Sequence, residues 1–280
     1  MSDIQPTIQA APAPHETYRV RYPLKIRRLT VTRTRYVTPT MIRVTVTGSD
    51  LAGFESRSHD DHVKLFFARP GEDAPSLPTF GPNGPVFVEG AEKPISRDYT
   101  PRRYDATTGE LDLDFAVHDA GPATAWAINA TVGSVLHVAG PRGSMVVPDD
   151  FDWYLLVGDD TALPAIARRL EELRPEAKVT VIVEVGNRAD EMPLPSRASV
   201  AIDWLHRGDA APGEGGRLDA AVAAFSPPAG EGFAWVACES DTAKRLRRIL
   251  VEDLGLPKRR VKASGYWKRG LASYHDTHDD

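Results

Sequence analysis

The 280 residues read as two joined architectures: an antiparallel β-barrel up to about Pro148, then an α/β domain with a parallel sheet. Three observations predict this. Ile42, Val44 and Val46 alternate with Arg43, Thr45 and Thr47, and the same period of two returns at Leu111, Leu113, Phe115 and Val117. Turn chemistry punctuates this half at Gly48, Gly53, Phe80-Gly-Pro-Asn-Gly-Pro85 and Thr108-Gly109, and short strands so separated favour a barrel or sandwich. After Pro148, apolar strand runs alternate with helical stretches, which calls for crossover connections and a parallel sheet.

The elements follow in order. Val63-Lys-Leu-Phe-Phe67 is a further short strand, ended before Pro70-Gly71. Trp153 to Val157 reads as a buried strand, followed by Gly158-Asp-Asp-Thr161 and a helix to about Leu173. Strands are expected at Val179–Val185, Ser199–Leu205, Ala234–Ala237 and Val261–Gly265, with helices at Leu218–Phe225 and Asp241–Leu254. Leu246, Ile249, Leu250 and Leu254 would share one face of the last helix. Ala210 to Gly216 is expected to be a flexible loop. The expected organisation is a disordered leader over 1–21, a barrel over 22–148, an α/β domain over 149–270 and a flexible tail over 271–280.

Composition narrows the class. With 34 basic and 39 acidic residues the net charge is −5, which argues against nucleic acid as the main partner. Cys238 is the only cysteine, so an intramolecular disulfide and a cysteine zinc cluster are both excluded. The first twenty residues hold Pro6, Pro12 and Pro14 and no apolar signal-peptide core, and no later run is long enough to span a bilayer. A cytoplasmic location without stable membrane association is expected. The His275-Asp-Thr-His278-Asp-Asp280 end has metal-friendly residue types but reads as a solvated tail.

Four segments carry chemistry. In Arg97-Asp98-Tyr99-Thr100-Pro101-Arg102-Arg103 the arginine offers a planar donor fork to phosphate oxygens, the tyrosine a stacking face, and the threonine a hydroxyl for a ring heteroatom. Read alone, the heptamer fits an exposed edge strand with ordinary surface arginines better than a cofactor site. His118-Asp-Ala-Gly121-Pro-Ala123-Thr124-Ala-Trp126 reads as strand end, turn and helix start, a place where free N–H groups receive phosphate. Gly158-Asp-Asp-Thr161-Ala162-Leu-Pro164 stands where ligands sit in an open α/β sheet, at the carboxyl end of its first strand. Glu184 can hold ribose hydroxyls, whereas Arg188 nearby can receive a 2′-phosphate. Gly140-Pro-Arg142-Gly-Ser144 is a tight turn that displays one arginine.

These segments, closed by Gly265-Tyr266-Trp267-Lys268-Arg-Gly270, occur in one order. The chain resembles the siderophore-interacting protein family, flavin-dependent ferric-siderophore reductases of the ferredoxin–NADP reductase superfamily, from about Tyr22 to Gly270. The resemblance implies a six-stranded-type flavin-binding barrel, an NAD(P)H-binding α/β domain and bound FAD. NADH or NADPH would be the donor, with a reduced ferredoxin as the alternative, and a ferric siderophore the acceptor. The oligomeric state stays open.

The resemblance also implies site roles. Arg97, Asp98, Tyr99 and Thr100 would meet the flavin. His118, Gly121, Ala123, Thr124 and Trp126 would meet its pyrophosphate and ribityl chain, although Trp126 also suits core packing. Thr161, Ala162 and Pro164 would form the loop of the nicotinamide domain near the flavin, with Glu184, Glu239, Tyr266 and Trp267 completing the cofactor contacts. Cys238 departs from the glycine usual before Glu239, and a small buried residue is the expectation there. Lys64, Arg142 and Lys268 would form a basic cleft for an anionic chelate. No protein ligand to a metal is required, because the chelator keeps the iron. Two alternatives from other classes are a flavin-bearing redox sensor and a non-catalytic ferric-chelate binding protein.

Overall fold

The structure is a computed structural model that describes residues 13–81, 84–87, 90, 92, 94–117 and 121–271. In chain order the first half carries β1 (Tyr18–Arg21), β2 (Ile26–Thr38), β3 (Met41–Thr47), β4 (Val63–Phe67), β5 (Thr79–Gly81), β6 (Gly84–Val86), β7 (Ile95–Tyr99), β8 (Pro101–Asp105) and β9 (Glu110–Ala116). Helix α1 (Pro122–Asn129), β10 (Val135–Ala139) and β11 (Gly143–Val146) follow. Seven of these strands form one antiparallel sheet in the order β7-β4-β10-β2-β3-β9-β8.

The alternation in the sequence explains this sheet directly. Ile42 stands opposite Phe115, Val44 opposite Leu113 and Val46 opposite Leu111, and all six are buried in one core. Each such side chain contributes about 1.5–3 kcal/mol by leaving water. The intervening residues pair on the other face: Arg43 forks onto Asp114 at 2.6 and 2.7 Å, and Thr45 donates to Asp112 at 2.6 Å. The six-stranded-type barrel is thus realised as a seven-stranded sheet, because the Arg97 segment divides. β7 pairs with β4 and β8 with β9, at opposite edges, and Thr100 is the one residue between them.

The second half carries β12 (Trp153–Asp159), α2 (Leu163–Glu172), β13 (Lys178–Val185), β14 (Ser199–His206), α3 (Arg217–Ala223), β15 (Gly232–Glu239), α4 (Ser240–Arg248) and β16 (Val261–Trp267). Its five strands are parallel, in the order β14-β13-β12-β15-β16. Every residue of β12 and β15 is buried, as expected of central parallel strands covered on both faces. The chain leaves β12 towards β13 and returns to its other side as β15, so a crevice opens at their carboxyl ends. Gly158 keeps the next turn tight there; a Cβ would strike the Ala162 side chain and the Ala237 carbonyl oxygen.

Polar contacts join the halves. Arg168 of α2 donates to Ser56 Oγ at 2.8 Å, to the Ser56 carbonyl at 2.8 Å and to the Pro101 carbonyl at 3.0 Å. Arg102 forks onto Glu171 of α2.

One expected boundary is corrected. Tyr18–Arg21 do not belong to a disordered leader: they form β1, antiparallel to β11, with Arg21 opposite Gly143. Gly143 permits that approach, since a Cβ would collide with the Val20 carbonyl oxygen. The metal-friendly segment from His275 lies outside the described residues, as do residues 1–12.

Candidate functional site

A cleft of about 1370 Å³ runs between the antiparallel sheet and β16. It exceeds the roughly 300–1,000 Å³ of most small-ligand pockets, so two ligands can lie in it side by side. Arg97, Asp98, Tyr99 and Thr100 all line it, at the seam between β7 and β8. The Tyr99 ring packs against Phe115 at 4.3 Å, and burial pushes its phenol pKa up. The next residues turn away: Arg102 is bound to Glu171, and Arg103 pairs with Asp105 at 3.1 Å.

Gly121, Ala123 and Thr124 line the same cleft at the start of α1. Gly121 is the N-cap and supplies no capping side chain, and Pro122 takes the first helical position. The amide N–H groups of the first turn are therefore available to an anion. His118 lies outside the described residues.

Across from the seam, β16 brings Tyr266 and Trp267. The pairing with β15 slips after Cys238, so that Glu239 faces Trp267 and Tyr266 is the inserted residue. Such a bulge re-aims side chains. Tyr266 donates to Asp60 Oδ1 at 2.7 Å, and Lys262 Nζ sits 2.6 Å from Asp60 Oδ2. Burial would raise the Asp60 carboxyl, but Lys262, His59 and the Tyr266 hydroxyl outweigh it and hold the pKa at about 2. Burial and the Asp60 charge push the Tyr266 phenol well above its ordinary value, against a Thr100 hydrogen bond that lowers it. Beside Asp60, His59 is 1% exposed with both ring nitrogens lacking a partner among the described residues, and burial drives its pKa down.

Trp267 reaches the other way, to the crevice. Its indole Nε1 donates to Asp159 Oδ2 at 2.8 Å, while Asp159 Oδ1 accepts from the Thr161 amide and hydroxyl at 3.0 and 2.5 Å. Thr161 and Pro164 line the cleft beside Trp267.

The far part of the cleft is cationic. Arg21 of β1, Arg142, Arg247 of α4, Lys258 and Arg259 all line it, and their side chains have no ion-pair partner among the described residues. The seam, the α1 start and these cations thus line one cleft, where they favour anionic groups.

Several expected site residues are not in the cleft, for physical reasons. Trp126 packs between Phe67 and Phe115 at 5.9 and 5.7 Å and belongs to the core. Ala162 is wholly buried under Gly158. Glu184 is 3% exposed and faces Arg217 at 3.9 Å. Glu239 caps α4, accepting from the Thr242 amide at 2.9 Å. Lys64 is spent on Asp98, its cross-strand neighbour, at 2.6 Å. Lys268 lines the cleft but pairs with Asp241 at 3.3 Å, leaving Arg142 as the unpaired member of the expected basic trio. Cys238 is 1% exposed, and burial pushes its thiol pKa well up, so it is a small buried residue. Reasoning from the chain alone missed Asp60, Asp159, Arg21, Lys258, Arg259 and Lys262. The visible signals were the Pro257-Lys-Arg-Arg-Val-Lys262 charge run and the Gly158-Asp-Asp-Thr161 segment, in which Asp159 itself carried no assigned role.

The donor set fits a flavin dinucleotide: a guanidinium, a desolvated aromatic face, a hydroxyl and an uncapped helix start converge on one wall. Beside it is a crevice of nicotinamide-nucleotide type. Such a pairing of barrel, parallel sheet and shared cleft defines a two-domain flavin reductase architecture. A ferredoxin NADP+ reductase from Neisseria gonorrhoeae shares the fold, with a TM-score of 0.61 over 87% of this chain and 99% of that one at 12% identity. Residues 30–145 match the siderophore-interacting FAD-binding domain, and residues 151–270 match the siderophore-interacting protein family. An NADPH-dependent ferric-chelate reductase of Escherichia coli (strain K12) is 40% identical over 91% of this chain and 97% of its own. The ferric vibriobactin reductase ViuB of Vibrio cholerae is 35% identical over 89% and 93%. A siderophore utilization protein from T. fusca superposes with a TM-score of 0.87 at 43% identity, over 94% and 100% of the two chains. The chain belongs to the siderophore-interacting protein family.

Proposed function

We propose that this chain is an FAD-dependent reductase that passes electrons from NADPH through the flavin to ferric siderophores, releasing ferrous iron. One observation carries the reading: the Arg97–Thr100 seam, the α1 start, the β12/β15 crevice and the cationic end all line one cleft. The balance is one NADPH and two ferric ions giving NADP+, two ferrous ions and one proton. When bound, the flavin supplies the exchange between a two-electron donor and a one-electron acceptor.

The chain's own residues do the positioning. Arg97 and the first-turn amides of α1 neutralise the phosphates, Tyr99 keeps a dry face for the ring, and Thr100 offers a hydroxyl at its edge. Thr161, Pro164 and Trp267 wall the nicotinamide side. Arg21, Arg142, Arg247, Lys258 and Arg259 draw in an anionic chelate against the net charge of −5. The flavin would be held by residues up to 148 and the nicotinamide by 149–270. No helix among the described residues is long and apolar enough to cross a membrane, and we place the activity in the cytoplasm.

The test is anaerobic. Purified protein loaded with FAD is mixed with NADPH, NADH or reduced ferredoxin, and then with a ferric catecholate or citrate. Bleaching by NADPH and reoxidation by the chelate are expected. Protein that takes up no FAD, or bleached flavin that no ferric chelate reoxidises, would refute the reading.

A further inference from the structure

Asp159 ends the central strand β12 at the mouth of the crevice, 4% exposed, and its two oxygens serve different elements. Oδ2 accepts the Trp267 indole of β16; Oδ1 accepts both the amide and the hydroxyl of Thr161. Trp267 and Thr161 line the cleft, whereas Asp159 does not. The carboxylate therefore acts behind the wall. It accepts three hydrogen bonds and donates none, the arrangement that suits an ionised carboxylate best.

We infer that Asp159 is the positioning residue of the nicotinamide side of the cleft: ionised, it fixes Trp267 and the Thr161 turn as one rigid wall, and protonation releases that wall. The inference rests on reading this side as the NADPH site. Protonation turns one oxygen into a donor with a lone pair fewer, which weakens its hold on the indole or on the threonine.

The surroundings set the range in which this happens. Burial and the neighbouring Asp160 charge push the Asp159 carboxyl up to about 7, against the Thr161 and Trp267 hydrogen bonds that lower it. Asp160 is held by Arg207, at the end of β14, at 2.9 Å. On β13 the register neighbour is Glu184, itself raised by burial and countered by Arg217 and Arg207. On β15 stand Glu239, occupied with the α4 cap, and Cys238, whose thiol stays protonated near neutrality. From β16 the facing group is the indole alone. Among the described residues Asp160, but not Asp159, has a cation within ion-pair distance.

The experiment uses the full chain with FAD and 15N-labelled tryptophan, of which there are five. The Trp267 indole resonance, assigned by its loss in Trp267→Phe, is followed from about pH 5 to about pH 9. It is expected to shift with a midpoint near 7 in the wild type and to stay put in Asp159→Asn. A resonance that is static, or that titrates equally in Asp159→Asn, overturns the inference. In turnover, the wild-type KM for NADPH should rise about fivefold more than that of Trp267→Phe between about pH 8 and about pH 6, one net hydrogen bond's worth, with kcat little changed. Identical KM profiles in the two proteins overturn it as well. Should Asp159→Asn fail to fold, the wild-type resonance and the Trp267→Phe comparison still decide. A protein that never oxidises NADPH would sink the reductase reading while leaving the resonance titration to judge Asp159.

Discussion

The Tyr266 hydroxyl donates to Asp60 Oδ1 at 2.7 Å across the junction of the two sheets, although the residues stand 206 positions apart. Lys262 closes on the other oxygen. Two residues of one strand thus clamp a single carboxylate from the opposite domain. Tyr266→Phe removes a hydrogen bond to a charged group and should cost about 1.5–3 kcal/mol, read as a lower urea midpoint with unchanged slope.

The same carboxylate predicts an acid limit. The folded Asp60 pKa of about 2 lies below its ordinary 3.8. Its contribution is therefore fully present above that ordinary value and is lost as pH falls towards 2. The loss amounts to about 2 kcal/mol, and it should be absent from Asp60→Asn. Urea unfolding of both proteins at about pH 5 and about pH 3 checks it; equal acid sensitivity would contradict the clamp.

Arg168 predicts how the halves are tied. It satisfies Ser56 and Pro101 of the barrel and Glu172 of its own helix, at 2.7–3.0 Å. Arg168→Ala removes all four charge-assisted hydrogen bonds, the one to the Pro101 carbonyl among them, and should cost about 1.5–3 kcal/mol. Calorimetry should then show a lowered first transition, with the two halves melting apart.

Arg97→Ala should weaken FAD retention about 10- to 100-fold, the loss of a charge-assisted contact, while Arg103→Ala should leave it unchanged. Equilibrium dialysis of the flavin separates the two. Equal loss in both would mean that the seam does not hold the phosphates.

Lys258→Glu with Arg259→Glu should raise the KM of a ferric catecholate roughly tenfold at low salt, with the gap narrowing at about 0.5 M salt. The KM for NADPH should hold, because its side of the cleft lies at the other end of β16. A parallel rise for NADPH would misplace the cationic end.

What the chain disclosed on its own divides along physical lines. Ile42, Val44 and Val46 and their partners Leu111, Leu113 and Phe115 were legible because a period of two fixes which face a strand buries. Arg97 to Thr100 were legible as a run of adjacent groups on one seam. Lys64 was not, because its charge is absorbed by Asp98, and that pairing depends on the register of β4 against β7. Trp126 and Ala162 sit on short helices whose buried face is chosen by what docks on them. Tyr18–Arg21 alternate Tyr and Val with arginines over four residues, too brief a signal to separate from a leader, so the Arg21 side of the cleft stayed hidden with it.

Thr100 is the only link between the two outermost strands of the barrel sheet, and those strands do not pair with each other. The cofactor wall is therefore also the join between the two edge strands of the sheet, β7 and β8. A flavin seated there works as a zip as well as a reagent. Protein starved of it should be the more prone to join edge to edge with its own copies, so that flavin supply would govern how long the chain stays in solution before it ever governs how fast iron is released.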